Sequence, residues 1–115
     1  MRRHMFDTHC HLTSPELFNQ IEDVLERAFA RGVRGMITVA TGPDDLDRGL
    51  TLAQRFDSIW CTSGVHPHQA DQPVDWGEVR RVAEDPKCVA WGELGLDWHY
   101  PEPARDRQLA CLNAH

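Results

Sequence analysis

Hydrophobic residues along this chain recur at two spacings, one typical of strands and the other typical of amphipathic helices. Strand-like runs lie near positions 6–12, 36–39, 59–65 and 89–93, and helix-like stripes lie near 17–29, 46–56, 76–83 and 104–112. The regular alternation of strand and helix predicts a parallel sheet covered by helices. In such sheets the functional side chains lie at the carboxyl ends of the strands.

Capping and breaking residues predict where these elements begin and end. Ser14 can cap the first helix, and Pro15 suits its first position. A single helix is expected to continue from there until Gly32 ends it. Gly35 is expected to precede the second strand. The Asp85-Pro86 pair is expected to stop the third helix.

The first strand carries the Asp7-Thr8-His9-Cys10-His11 motif. Strict alternation places Asp7, His9 and His11 on one face, with neighbours about 6.5 Å apart. Two imidazoles at that separation can converge on one ion, about 2.1 Å from each nitrogen. Asp7 is then placed to hold or balance a ligating ring. Two polar histidines near a strand end are the alternative, and metal binding is the favoured interpretation.

A second motif, Gly64-Val65-His66-Pro67-His68, follows the third predicted strand. Pro67 stiffens the turn and holds two imidazoles at its mouth. We expect His66 and His68 to contact a substrate or a phosphate, or to support a nearby metal ion. The alternative is a rigid turn whose histidines have no chemical role.

The third motif, Gly92-Glu93-Leu94-Gly95-Leu96-Asp97, follows the fourth predicted strand. A buried carboxylate such as Glu93 is costly unless a cation accompanies it, and one carboxylate can bridge two ions. Asp97 is expected to play a supporting role. The aromatic residues 98–100 either stack on a base or ring, or pack between the loop and the rest of the fold.

Composition excludes some classes of protein. The 115 residues are 41% hydrophobic and 26% charged, which is typical of an ordinary globular domain. The formal charge of −6 argues against broad electrostatic attraction to nucleic acid or membrane. A polyanionic substrate would therefore need metal ions or clustered arginines at its site.

Cysteine spacing and hydropathy bear on location. The four cysteines are widely spaced and form no Cys-x-x-Cys pair, which favours free thiols in a reducing compartment. No run approaches the roughly 18 apolar residues of a membrane-spanning helix. We expect a cytoplasmic protein with no membrane partner.

Together, the three motifs in this order and spacing resemble the TatD family of metal-dependent deoxyribonucleases. The resemblance implies a TIM-type (β/α)₈ barrel in which metal-activated water hydrolyses DNA phosphodiester bonds. Zinc, manganese or magnesium would be the cofactor, with one or two ions per complete site. By resemblance, His9, His11 and Glu93 are metal ligands, Glu93 is also catalytic, and His66 and His68 contact the substrate.

Chain length departs from this family, whose barrels need about 250 residues. Residues 1–115 are therefore expected to be the N-terminal half of such a barrel, with about four βα units. The resemblance places two further His ligands and an Asp ligand and general base in the second half. The half is expected to be a truncated product, an excised fragment or a natural remnant. It should show little activity alone, and its open sheet edges favour self-association.

Two other functions remain open at this point. One is a hydrolase of the wider amidohydrolase group with a non-nucleic substrate, although such enzymes often carry a lysine where this chain has Glu93. The other is a non-catalytic half-barrel that acts through association and retains motifs it no longer uses.

Overall fold

The computed structural model describes residues 3–115 and contains one sheet of four parallel strands in chain order. The strands are β1 (Met5–Cys10), β2 (Val33–Thr38), β3 (Ile59–Ser63) and β4 (Cys88–Trp91). The helices are α1 (Pro15–Phe18), α2 (Ile21–Ala30), α3 (Leu46–Arg55), α4 (Trp76–Ala83) and α5 (Arg105–Ala114). A short 3₁₀ turn over Pro67–Gln69 follows β3. The predicted alternation of strands and helices is confirmed.

The core lies between the sheet and the helices that cover it. Helix α3 contributes several fully buried leucines, and α4 contributes Val79 and Val82. They pack with Ile59 of β3 in one hydrophobic cluster. Each such side chain stabilises the fold by about 1.5–3 kcal/mol when removed from water. This packing holds the strand ends in fixed relative positions.

The predicted first helix is two helices. The backbone of Gln20 leaves the helical region, with φ −134° and ψ 37°, between α1 and α2. Its side-chain amide donates instead to the carbonyl of Glu16, over 2.7 Å. Ser14 and Pro15 occupy the predicted cap and first helical positions of α1, but the Ser14 side chain makes no capping hydrogen bond. Gly32 does follow the end of α2, with the positive φ of 97° that glycine tolerates.

Strand β2 begins earlier than predicted and includes Gly35. The ring of Phe6 lies where a side chain at position 35 would project, so a larger residue there would displace that ring. At the other end of the sheet, β3 and β4 stop two residues before their predicted ends. Glu93 consequently lies just beyond β4, in the connection that follows it.

The two edge strands, β1 and β4, carry exposed apolar side chains. Met5, Phe6, Val89 and Trp91 are each about half exposed. Phe6 packs partly on Trp60, with 5.4 Å between the ring centroids. Among residues 3–115, no helix has the length and hydrophobicity needed to cross a bilayer.

Candidate active site

His9, His11 and Glu93 converge at the carboxyl ends of β1 and β4. Each offers one ligand atom, and these atoms all lie within 4.8 Å of one another. His9 Nε2 is 3.6 Å from Glu93 Oε2. Two ligands that each lie about 2.1 Å from one ion are at most about 4.2 Å apart, so small side-chain rotations bring all three to bonding distance. Two imidazoles and a carboxylate are a donor set that suits a divalent metal.

Hydrogen bonding orients the His11 ring. Its Nδ1 lies 3.1 Å from the carbonyl oxygen of Val39. Because a carbonyl can only accept, Nδ1 carries the proton and the neutral ring leaves Nε2 free as a ligand. This arrangement is typical of metal-binding histidines.

Asp7 forms its hydrogen bond with the backbone of its own strand and not with the ring of His9 or His11. The register between β1 and β2 shifts between Asp7 and Cys10, which interrupts strict alternation along the strand. Asp7 Oδ1 accepts a hydrogen bond from the backbone N–H of His9, over 3.1 Å. Asp7 therefore supports the backbone of the irregular segment and does not contact a ligating ring.

Backbone hydrogen bonds from neighbouring strands hold the segment that carries Glu93. The N–H of Gly92 donates to Ser63 over 2.9 Å, and the N–H of Glu93 donates to Ala40 over 2.7 Å. The hydroxyl of Thr62 donates to the carbonyl of Gly92 over 2.6 Å. The backbone that carries the Glu93 carboxylate is thus anchored to β3 and to the connection after β2, although it lies outside β4.

Gly64 permits the close approach of this segment. A Cβ at position 64 would lie 2.7 Å from the carbonyl carbon of Gly92, a backbone atom that cannot move aside. Gly92 itself has open space around it, whereas Gly95 is needed for its φ of 142°. The close backbone approach beside Glu93 therefore requires glycine at position 64, just beyond the end of β3.

His66 faces the Glu93 carboxylate. Its Nδ1 accepts the backbone N–H of His68 over 3.0 Å, so the neutral ring carries its proton on Nε2. That Nε2 lies 3.5 Å from Glu93 Oε1. Burial lowers the pKa of His66, and His68 and His11 act in the same direction, while Glu93 and Asp97 oppose them. His66 is therefore an uncharged donor near neutral pH.

His68 pairs with Asp97, the carboxylate for which we predicted a supporting role. His68 Nε2 lies 2.7 Å from Asp97 Oδ2, and Asp97 Oδ1 accepts the backbone N–H of His99 over 3.1 Å. The hydrogen bond from His99 is the main cause that lowers the pKa of Asp97, and the His68 ring adds to it. The rings of His68 and Tyr100 meet edge to face, 5.5 Å apart.

The histidines of the first two motifs and Glu93 line one open cleft of about 430 Å³. Its described lining consists of the five predicted site residues together with Thr41 and Gln69. Sequence reasoning missed Thr41, whose carbonyl accepts the N–H of His66 over 2.7 Å. The buried Asp45 carboxylate in turn holds the backbone N–H and the hydroxyl of Thr41. A conformation maintained by Asp45 therefore helps to place His66.

A family model for TatD-related DNases matches residues 6–115, which include all three motifs. The chain belongs to the TatD-related DNase family. This finding confirms the resemblance seen in the sequence. The TatD-family site residues predicted from it, His9, His11, Glu93, His66 and His68, meet in one cleft, and their individual roles stay predictions.

Two curated TatD relatives are similar to this chain, and both are named 3′-5′ ssDNA/RNA exonuclease TatD. The protein from Salmonella typhimurium is 40% identical over 97 residues, which cover 83% of this chain and 37% of the relative. The protein from Enterobacter lignolyticus is 40% identical over 112 residues, which cover 96% of this chain and 43% of the relative. The chain spans less than half the length of these relatives.

Solved TatD structures share its fold. The crystal structure of YjjV, a TatD homologue from Escherichia coli K12, matches 99% of this chain and 46% of its own, with 32% identity and a TM-score of 0.85. A TatD-family hydrolase from Entamoeba histolytica matches 98% of this chain and 44% of its own, with 23% identity and a TM-score of 0.85. The predicted fold class is confirmed: the four βα units form part of a (β/α) barrel.

Proposed function

We propose that residues 1–115 act as the N-terminal half of a TatD-type barrel and supply part of the metal site of a nuclease. The reaction is hydrolysis of DNA phosphodiester bonds. The observation that carries this proposal is the convergence of His9, His11 and Glu93 within 4.8 Å at the strand ends. The nuclease names of the relatives support DNA as the substrate over an amide or a ring.

His9, His11 and Glu93 would hold a divalent ion of zinc, manganese or magnesium. When bound, such an ion lowers the pKa of water and neutralises charge on phosphate oxygens. The chain's own groups prepare the site for this chemistry. His11 offers Nε2, because Nδ1 is bound to Val39, and Glu93 has a second oxygen for a second ion.

The histidines of the second motif lie beside this cluster and would bind the substrate. His66 can donate its Nε2 proton to a phosphate oxygen that enters the cleft beside Glu93. His68 lines the same cleft. Since the formal charge of the chain is −6, these local groups and the metal would have to attract a polyanion. A cytoplasmic location stays a prediction from the cysteine spacing.

Metal binding tests the proposed ligands directly. We expect zinc or manganese to bind weakly, with at most one ion per chain, because the cluster offers three protein groups. The double variant His9→Ala plus His11→Ala should abolish binding, since Glu93 alone remains. Isothermal titration calorimetry of the purified chain measures both the stoichiometry and the loss.

A matched control removes two other histidines. His4 and His99 lie outside the cluster, and the His99 contact with Asp97 uses its backbone. The double variant His4→Ala plus His99→Ala should bind the metal as the parent chain does. Unchanged binding by the His9 and His11 double variant would remove the basis for the proposed site.

We also propose self-association through the sheet edges. Strands β1 and β4 each pair on one side only within the described sheet, and both expose large apolar side chains. Unpaired strand edges with exposed apolar residues favour pairing with another chain. We expect sedimentation velocity to show dimers or larger species at micromolar concentration. A stable monomer that unfolds cooperatively would contradict this expectation.

A further inference from the structure

Gln108 is a fully buried amide on α5, with 0% of its side chain exposed. Its Oε1 accepts the backbone N–H of Asp97 over 2.8 Å. Its Nε2 donates to the carbonyl oxygens of Asp97 and Pro103, each over 2.8 Å. The amide therefore binds Asp97 on both sides of its Cα and ties the loop after β4 to α5.

The Asp97 side chain also has two partners within the protein. One carboxylate oxygen accepts the N–H of His99, and the other lies 2.7 Å from His68 Nε2. Because a carboxylate accepts only, Nε2 of His68 carries a proton in both the neutral and the charged ring. In the neutral ring, Nδ1 is then the unprotonated nitrogen, and no protein group among residues 3–115 forms a hydrogen bond with it.

His66 and His68 consequently present opposite ring nitrogens. The His66 ring uses Nδ1 to bind the backbone and directs Nε2 towards Glu93. The His68 ring uses Nε2 to bind Asp97, which leaves Nδ1 for a group in the cleft. The two rings meet at an angle of 66°, with 4.5 Å between centroids. The two histidines are therefore set for different contacts.

The geometry points to Asp97 and Gln108 as positioning residues of the nucleic-acid site, which hold His68 in its Nε2–H form and present Nδ1 to the bound nucleotide. This inference rests on the proposed nuclease function. Neutral Nδ1 accepts a hydrogen bond from a sugar hydroxyl, and the charged ring donates from Nδ1 to a phosphate oxygen. Both residues act through His68, because Asp97 binds its ring and the buried Gln108 holds the backbone of Asp97.

The tautomer of His68 is the direct test. Long-range ¹H–¹⁵N correlation spectra of ¹⁵N-histidine-labelled chain, recorded about two pH units above the ordinary histidine pKa of about 6.5, report which nitrogen carries the proton. We expect His68 to show the Nε2–H form and to become a mixture in Asp97→Ala. Asp97→Asn should restore the Nε2–H form, because the asparagine carbonyl still accepts.

His115 serves as an internal control for folding. Its Nδ1 binds the carbonyl of Cys111 and its Nε2 accepts the N–H of Val65, so it should show the opposite tautomer. In Gln108→Leu, we expect His68 to lose its fixed tautomer while His115 keeps its own. If His68 keeps the Nε2–H form in Asp97→Ala, Asp97 does not position it. If His68 keeps that form in Gln108→Leu while His115 is unchanged, Gln108 does not position it.

Binding of a short single-stranded oligonucleotide separates this inference from the proposed function. With zinc present, a thymidine hexanucleotide should shift the His68 Nδ1 signal, and its Kd should rise about two- to tenfold in Asp97→Ala, as expected for one hydrogen bond. No shift at any cleft histidine would contradict the proposed function. Shifts at His9 and His11 with none at His68 would contradict the positioning inference alone.

Discussion

The 115-residue chain alone should hydrolyse single-stranded DNA at or near the background rate with magnesium or manganese. Among the described cleft residues, Glu93 is the one carboxylate, and it already faces both His9 and His66. No second carboxylate is placed there to take a proton from water. Loss of a general base alone typically costs about 10²–10⁴-fold in rate. A labelled oligonucleotide assay over several hours measures the residual rate.

A longer protein tests whether the site residues of this chain can support DNA hydrolysis. The 115-residue segment can be joined to the remaining length of the Salmonella relative, of which it matches 37%. We expect this chimera to digest single-stranded DNA. Glu93→Gln should then lower its rate by at least about 10²-fold, because the neutral amide loses the charge that binds the metal.

Two controls make that outcome interpretable. Glu26→Gln changes an exposed glutamate of α2, far along the chain from the motifs, and should leave the rate of the chimera unchanged. Thermal melting of each variant checks that the protein is folded under the conditions in which its rate is measured. Robust, chelator-sensitive hydrolysis by the 115-residue chain, lost on Glu93→Gln, would show that this segment is sufficient and that our reasoning about missing ligands is wrong.

Residue pattern alone predicted the elements that position the site, since the carboxyl ends of parallel strands meet at one edge of the sheet. His9 and Glu93 are 84 positions apart in the chain and follow the two edge strands of the sheet, yet their side chains meet beyond the strand ends, 3.6 Å apart. Helix α4 has its predicted bounds, Trp76–Ala83. Asp75 caps its first turn, and Asp85-Pro86 follows its end, so local signals were strong at both ends.

Spacing and capping signals failed where individual side-chain contacts or long-range contacts decide the structure. At the interruption between α1 and α2, the side-chain amide of Gln20 binds the Glu16 carbonyl in place of a helical backbone N–H. Helical spacing does not reveal this competition. The proton positions on His11 and His68 depend on Val39 and Asp97, partners 28 and 29 positions away. The role of Gly64 depends on the backbone of Gly92, which is 28 positions away and follows β4. Sequence therefore identified which side chains meet, and the structure was needed to show how each is oriented.

Gln108→Leu should lower the free energy of unfolding by about 2–4 kcal/mol. Leucine has a similar size, so packing is largely kept, but three hydrogen bonds are lost from a side chain that is 0% exposed. A buried polar group left without its partner typically costs about 1–3 kcal/mol. The total cost should be less than three times this value. The loop lies near the surface, so water can bind some of the backbone groups that lose the Gln108 amide. Urea denaturation followed by circular dichroism measures it.

Gln54→Leu is the matched control, because it removes the same amide from an exposed position. Gln54 donates one hydrogen bond to Asp85 over 2.9 Å at the surface, where water replaces the lost partner. We expect that variant to cost less than about 1 kcal/mol. Equal costs for the two variants would mean that Gln108 does not hold the loop. A much larger cost for Gln108→Leu would show that the buried amide of Gln108 stabilises the loop that carries Asp97. The position of His68 in the cleft would then depend on a residue too deeply buried to contact the substrate.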